Sequence, residues 1–382
     1  MLKLSRPLRR SALWLVLAAG VLLLSACGGR ITNTNWAGLS TDGERVYLAF
    51  GPQVLAFDPE AQSHSWIYPA ESSAVHFYSA PSTAENRVIF GDYGRQGGLF
   101  SPRVTTSVYA LENVDSGIPR ELWINSEAVT DKVVAPPLQV GEQVFVGTAD
   151  NHIVSLNVSD GSLNWNFETS HAIWGQPAYR DDVLYVTSMD WSVYALNATT
   201  GEQIWTTRLG GALPSGPVLG DDLLYVSSFD GNVHALNSKT GDVVWSAPTA
   251  DWVWGAPALA NGLVYFSDIQ GNLHAADAKT GAGVWDKATG ARTQSSPVVV
   301  GETIYIASQA ADSPTAGALT AYSVADGKQL WSQRTATPLT TTPVVVEDAI
   351  VVGTQDTAAL LIGFDLATGQ ELWRYALPET AN

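Results

Sequence analysis

Cysteine is nearly missing from this sequence: 382 residues contain one, Cys27. That excludes a disulfide within the chain and a C-x-x-C-H haem attachment, so stability has to come from packing. Charge is also scarce, at 15% of residues, and positive charge is scarcer, with 20 Lys and Arg against 37 Asp and Glu and a net charge of −17. Four of those basic residues, Lys3, Arg6, Arg9 and Arg10, lie in the first ten residues, which hold no acid, so the rest of the chain is more acidic still. Such a surface repels phosphate backbones and argues against nucleic acid as a partner. No G-x-S-x-G, H-E-x-x-H or phosphate-cradling glycine loop is present. Six histidines occur, but His234 and His274 hold one place in consecutive repeats where Tyr109 and Tyr194 stand in others. A repeated place of that kind reads as strand packing, because a metal needs several ligands converging on one point. Asp150, Asp190 and Asp230 likewise share one turn position and are expected to bond their own turn. The expectation is a protein with no catalytic residues, no metal and no cofactor.

What is present begins with "MLKLSRPLRR", a basic leader, followed by the apolar "SALWLVLAAGVLLLSA". This is the pattern of a signal peptide, not of a folded element. It ends in "LLSAC", which resembles the lipobox of bacterial lipoproteins. The resemblance implies cleavage after residue 26 and lipidation of Cys27, which accounts for a lone cysteine in an exported chain. An acyl anchor holds a protein to a bilayer without spanning it. Gly28 stands where Asp signals inner-membrane retention, so the resemblance implies the outer membrane in a two-membrane host and the cell surface in a one-membrane host. The expected organisation is a signal peptide over 1–26, a lipidated tether over 27–35 and a single domain over 36–382.

That domain is repetitive. "LYVTSMDWSVYALNATTGEQIW" ends at Trp205, "LYVSSFDGNVHALNSKTGDVVW" at Trp245 and "VYFSDIQGNLHAADAKTGAGVW" at Trp285. The landmark tryptophans are Trp66, Trp123, Trp165, Trp205, Trp245, Trp285, Trp331 and Trp373, spaced 40 to 57 residues apart. A proline precedes the Trp by 28 residues in four repeats, at Pro137, Pro177, Pro217 and Pro257. Within a unit, alternating apolar residues punctuated by Gly, Asn and Asp give four short strands. Four strands per unit of about 40 residues is a propeller blade, and eight units predict an all-β, eight-bladed β-propeller. A closed ring leaves few open sheet edges.

The clearest copies read A-x-[ND]-x-x-T-G-x-x-x-W, with Gly201, Gly241 and Gly281 four residues before their Trp and Asn197, Asn237 and Asp277 four before the Gly. This looks like the tryptophan-docking motif of the pyrroloquinoline-quinone (PQQ) type repeat, a resemblance that implies tryptophans packed between neighbouring blades. Eight such repeats behind a lipobox resemble the BamB family, propeller lipoproteins of the outer-membrane β-barrel assembly machinery. The resemblance implies a non-catalytic scaffold, bound to the membrane through its lipid and to a protein partner at the envelope. A second reading is an extracytoplasmic receptor for carbohydrate or another small ligand. A third, PQQ-dependent dehydrogenase activity, loses support because the adjacent-cysteine disulfide common in that group is impossible here.

Function is expected where the repeats disagree. Repeat two carries the insertion "GDYGRQGGLFSPRVTTS" and repeat seven carries "SQAADSPTAGALT", both between strands two and three. The connections between blades lie on the same face. Three residues before the landmark Pro, these connections hold Tyr78, Val134, Trp174, Pro214, Trp254, Gln294 and Thr340, with Trp36 near the same position in repeat one. First strands are innermost in a propeller, so this position should ring the channel mouth. In "DWVWGAP", Trp252 precedes Trp254 by two residues and points to the same side if the segment is extended. Trp191 replaces Gly231 of the next repeat at a turn on that face. Tyr78, Trp174, Trp191, Trp252 and Trp254 are therefore the candidate binding residues. The alternative is that they plug the channel mouth and touch no partner.

Overall fold

Each repeat closes on itself. The computed structural model describes residues 38–71, 74–94 and 105–377; the signal peptide, Cys27, Trp36 and most of the repeat-two insertion lie outside them. Within the described residues every sheet is a four-stranded antiparallel meander in sequence order, and there are eight such sheets. Blade 4 is typical, with strands Ala178–Arg180, Val183–Thr187, Ser192–Asn197 and Gln203–Arg208. The second and third strands are buried on both faces, whereas the fourth alternates. Blades therefore stack face to face, with the fourth strand outermost and the first lining the channel.

The two hydrophobic layers of a blade belong to different cores. Tyr185, Val193 and Ala195 of blade 4 pack with Leu224, Val226 and Leu236 of blade 5, whereas Leu184, Val186, Tyr194 and Leu196 pack with Phe145 and Ile153 of blade 3. The tryptophans seal these joints. Trp165, Trp205 and Trp245 donate their indole N–H to the carbonyls of Ala198, Ser238 and Ala278 in the next blade, at 3.0, 3.2 and 3.0 Å. Each ring lies on the motif glycine of that next blade. A Cβ on Gly241 would stand 2.6 Å from Trp205, and one on Gly281 would stand 2.7 Å from Trp245. Both glycines also have positive φ, +78° and +70°. The motif thus requires glycine twice over, for its turn and for the approach of the indole. Asn197, Asn237 and Asp277 accept turn N–H groups from Thr200, Thr240 and Thr280, as expected.

Among the described residues the ring closes without strand exchange. Blade 1, whose strands begin at Gly38–Thr41, and blade 8, which ends at Glu371–Tyr375, each keep four consecutive strands. They meet through one core that contains Leu48, Leu55 and Phe57 from blade 1 and Val351, Leu361 and Trp373 from blade 8. Phe57 and Trp373 lie 4.7 Å apart, and the Tyr375 hydroxyl reaches His64 Nδ1 at 2.9 Å. Ordinary side-chain packing is the clasp. The repeat-seven insertion is not a loose loop: it lengthens a β-hairpin, with strands Thr303–Ala310 and Ser313–Ser323.

Candidate binding face at the channel mouth

In a meander, the turn after strand two and the connection leaving strand four lie at the same end. Backbone hydrogen bonds join them here. The connection that leaves blade 5 bonds back to its own turn through Thr249 N–H and Gly231 O, at 2.8 Å. It bonds forward through Ile269 N–H, in the turn of blade 6, and Trp252 O, also at 2.8 Å. The same pairs recur as Leu209 to Trp191 and Phe229 to Ala212. The face is a laced rim rather than a set of free loops.

Turn carboxylates tighten it. Asp190 accepts the N–H groups of Ser192 and Ser170 at 2.9 and 2.8 Å, and the Tyr194 hydroxyl at 2.7 Å. Burial, with the bond to Asp190, pushes the Tyr194 hydroxyl up to about 12. In blade 5 the same geometry uses His234, whose Nε2 lies 3.0 Å from Asp230 Oδ2 and whose Nδ1 lies 2.7 Å from Ser246 Oγ. His274 pairs instead with Asp286, at 2.6 Å. The shared place of Tyr109, Tyr194, His234 and His274 is therefore a strand-three side chain that holds a neighbouring carboxylate; Tyr109 reaches Asp92 at 2.8 Å.

The variable position before the landmark Pro does ring the mouth. A cavity of about 300 Å³ is lined by Tyr78, Val134, Trp174, Pro214, Trp254, Gln294 and Thr340, one from each of seven connections, with Gly38 from blade 1. Trp174 and Trp254 meet across it with ring centroids 6.4 Å apart. Trp252 does share a side with Trp254, because both lie against Phe229 at 5.1 Å while Val253 between them is fully buried. The result is a row of four rings, Trp252, Phe229, Trp254 and Trp174. Sequence reasoning missed Phe229. Its signal was available in "SSFDGN", where a large aromatic fills the place held by Met189 and Ile269 in the flanking repeats.

The other two candidates stand apart from that row. Tyr78 lines the same cavity but packs edge-on to Tyr93 at 4.6 Å and stacks with His76 at 6.1 Å. Trp191 is 44% exposed and is covered by the Arg208 guanidinium, 4.7 Å from its ring. Its φ is +78°, a conformation that Gly231 and Gly271 take at the equivalent turns. A bulky residue there is an outlier held by its surroundings.

This rim can offer a rigid aromatic surface beside a polar channel mouth. The profile of the family described as "Outer membrane protein assembly factor BamB" matches residues 93–173, 170–251 and 230–382. Among solved structures, BamB from Moraxella catarrhalis aligns with 83% of this chain and 92% of its own, with a TM-score of 0.66 and 19% identity. The computationally designed Ika8 protein aligns with 90% of this chain and 97% of its own, with a TM-score of 0.67 and 14% identity. At these identities the likeness is one of fold. No curated protein matches.

Proposed function

The chain belongs to the family of the outer-membrane protein assembly factor BamB, and from that premise we propose that it is a non-catalytic, membrane-anchored scaffold that assists outer-membrane protein assembly. The observation that carries the reading is the row Trp252, Phe229, Trp254 and Trp174 at the channel mouth. Large aromatics on a pre-formed rim are the anchors protein interfaces use, because they bury much area with little loss of rotamer freedom. A plug needs only bulk. Trp252, at 49% exposure, seals nothing, and that favours the binding role. In this reading lipidated Cys27 tethers the propeller to the outer membrane of a two-membrane host, after removal of residues 1–26.

The test is capture from solubilised envelopes. Wild-type protein retains a subunit of the barrel-assembly machinery. The double substitution Trp174→Ala and Trp254→Ala lowers that retention at least about tenfold, with the melting temperature nearly unchanged. A fall in melting temperature with capture intact would make these rings a plug.

A further inference from the structure

Trp252 ends the aromatic row on one side and lines a separate hollow on the other. Apart from the mouth cavity, with which it shares no lining residue, lies a hollow of about 560 Å³ formed by Asp251, Trp252, Ile269, Gln270, Gly290 and Arg292. The backbone of Trp252 is pinned on both sides: its N–H donates to Asp251 Oδ1 and its carbonyl accepts the Ile269 N–H, each at 2.8 Å. Phe229 stacks on its indole at 5.1 Å and 25°. With that face occupied and about half of the side chain open, at 49% exposure, the remaining face is a rigid apolar plate. Three planar polar groups stand beside it. Gln270 Nε2 donates to Asp251 Oδ2 at 3.0 Å, which joins the connection to the blade 6 turn. Arg292 supplies a guanidinium whose charge offsets that of Asp251.

We propose that this hollow is a binding subsite for a neutral pyranose unit of a glycan. The C–H face of a sugar ring packs on the electron-rich indole face. Its ring hydroxyls both donate and accept, which matches a carboxylate that only accepts, a guanidinium that only donates and an amide that does both. An aliphatic ligand would strip water from these polar groups and offer their remaining N–H groups and lone pairs nothing in return. An anionic ligand would meet Asp251 on a protein of net charge −17. The volume falls within the range of small-ligand sites.

The experiment is calorimetric titration of the detergent-solubilised full-length protein with chitotetraose and with cellotetraose. At least one binds saturably. Trp252→Ala weakens that binding at least about tenfold, and Arg292→Ala, which keeps all four rings of the aromatic row, weakens it severalfold at an unchanged melting temperature. Trp174→Ala alone, which keeps Trp254 and Phe229 behind Trp252, lowers partner capture and leaves sugar binding as in wild type, so this site and the protein-partner reading fail separately. Absence of saturable binding to both sugars, or binding that survives Trp252→Ala and Arg292→Ala, overturns the proposal.

Discussion

Gly281→Ala and Gly262→Ala form a matched pair within blade 6. Both glycines have positive φ, +70° and +75°. Either alanine therefore carries the left-handed penalty of about 1 kcal/mol. They differ in what the new methyl group meets. At Gly262 there is no heavy atom within 4 Å, whereas at Gly281 the Cβ would stand 2.7, 2.8 and 2.9 Å from Cδ2, Cε3 and Cγ of Trp245. Carbon pairs prefer about 3.5–4 Å, so Trp245 must move. Its indole is 8% exposed and donates to Ala278 O at 3.0 Å. Displacing it adds an overpacking cost of about 1–3 kcal/mol and weakens a hydrogen bond worth about 1 kcal/mol. Gly281→Ala should thus lose about 2 kcal/mol more than Gly262→Ala. With an m-value of about 3 kcal/mol/M, the two urea midpoints separate by about 0.7 M. The readout is equilibrium unfolding followed by tryptophan fluorescence and, independently, by far-UV circular dichroism. Equal midpoints for the two variants would refute the claim that indole docking on the motif glycine holds neighbouring blades together.

A second pair isolates the indole hydrogen bond. Among the described residues Trp66 Nε1 is buried without a hydrogen-bond partner, whereas Trp245 Nε1 has Ala278 O. Trp245→Phe should therefore cost about 1 kcal/mol more than Trp66→Phe in urea unfolding; the reverse order would contradict the pairing. A third prediction concerns acid. The Thr280 hydroxyl and backbone N–H hold the Asp277 carboxyl below its ordinary range, and Thr368 does the same for Asp365. A depressed folded-state value means the unfolded chain binds protons first, so this stabilisation is complete above the unfolded value of about 4 and is lost as pH falls through the folded one. The urea midpoint should be flat from about pH 7 to 5 and fall below about pH 4. Asp277→Asn with Asp365→Asn should shallow that fall, and an unchanged acid limb would remove these turns from the account.

The fold was legible because its units are local. Each blade is built from consecutive strands, so the spacing of Trp205, Trp245 and Trp285 and the glycines before them carries the architecture directly. Ring closure was not legible, since Phe57 and the landmark Trp373 lie at opposite ends of the chain and meet only when eight blades have turned full circle. The rim was half legible. Trp174 and Trp254 mark themselves by departing from their repeats at a position whose radial place is fixed by the first strand. Phe229 hid because a single Phe among Met189 and Ile269 looks like ordinary apolar variation, and only the packing of the turn against the incoming connection puts it between two tryptophans. Trp191 departs from its repeat as plainly as the others do, yet its turn places it beside Arg208 and outside the row. Departure from a repeat locates a residue on a face; neighbouring backbone decides what it touches there.

If the channel-mouth rim is the face that meets a protein partner, as proposed above, a probe placed there will report it. Site-specific photo-crosslinking in intact envelopes tests it most directly, with the probe at Gln294, on the mouth beside the aromatic row, or at Glu142, in the exposed turn between Leu138–Val140 and Gln143–Gly147 at the opposite end of blade 3. Position 294 should crosslink to a subunit of the barrel-assembly machinery, and position 142 should not. A crosslink to that machinery from position 142, with none from position 294, would contradict it.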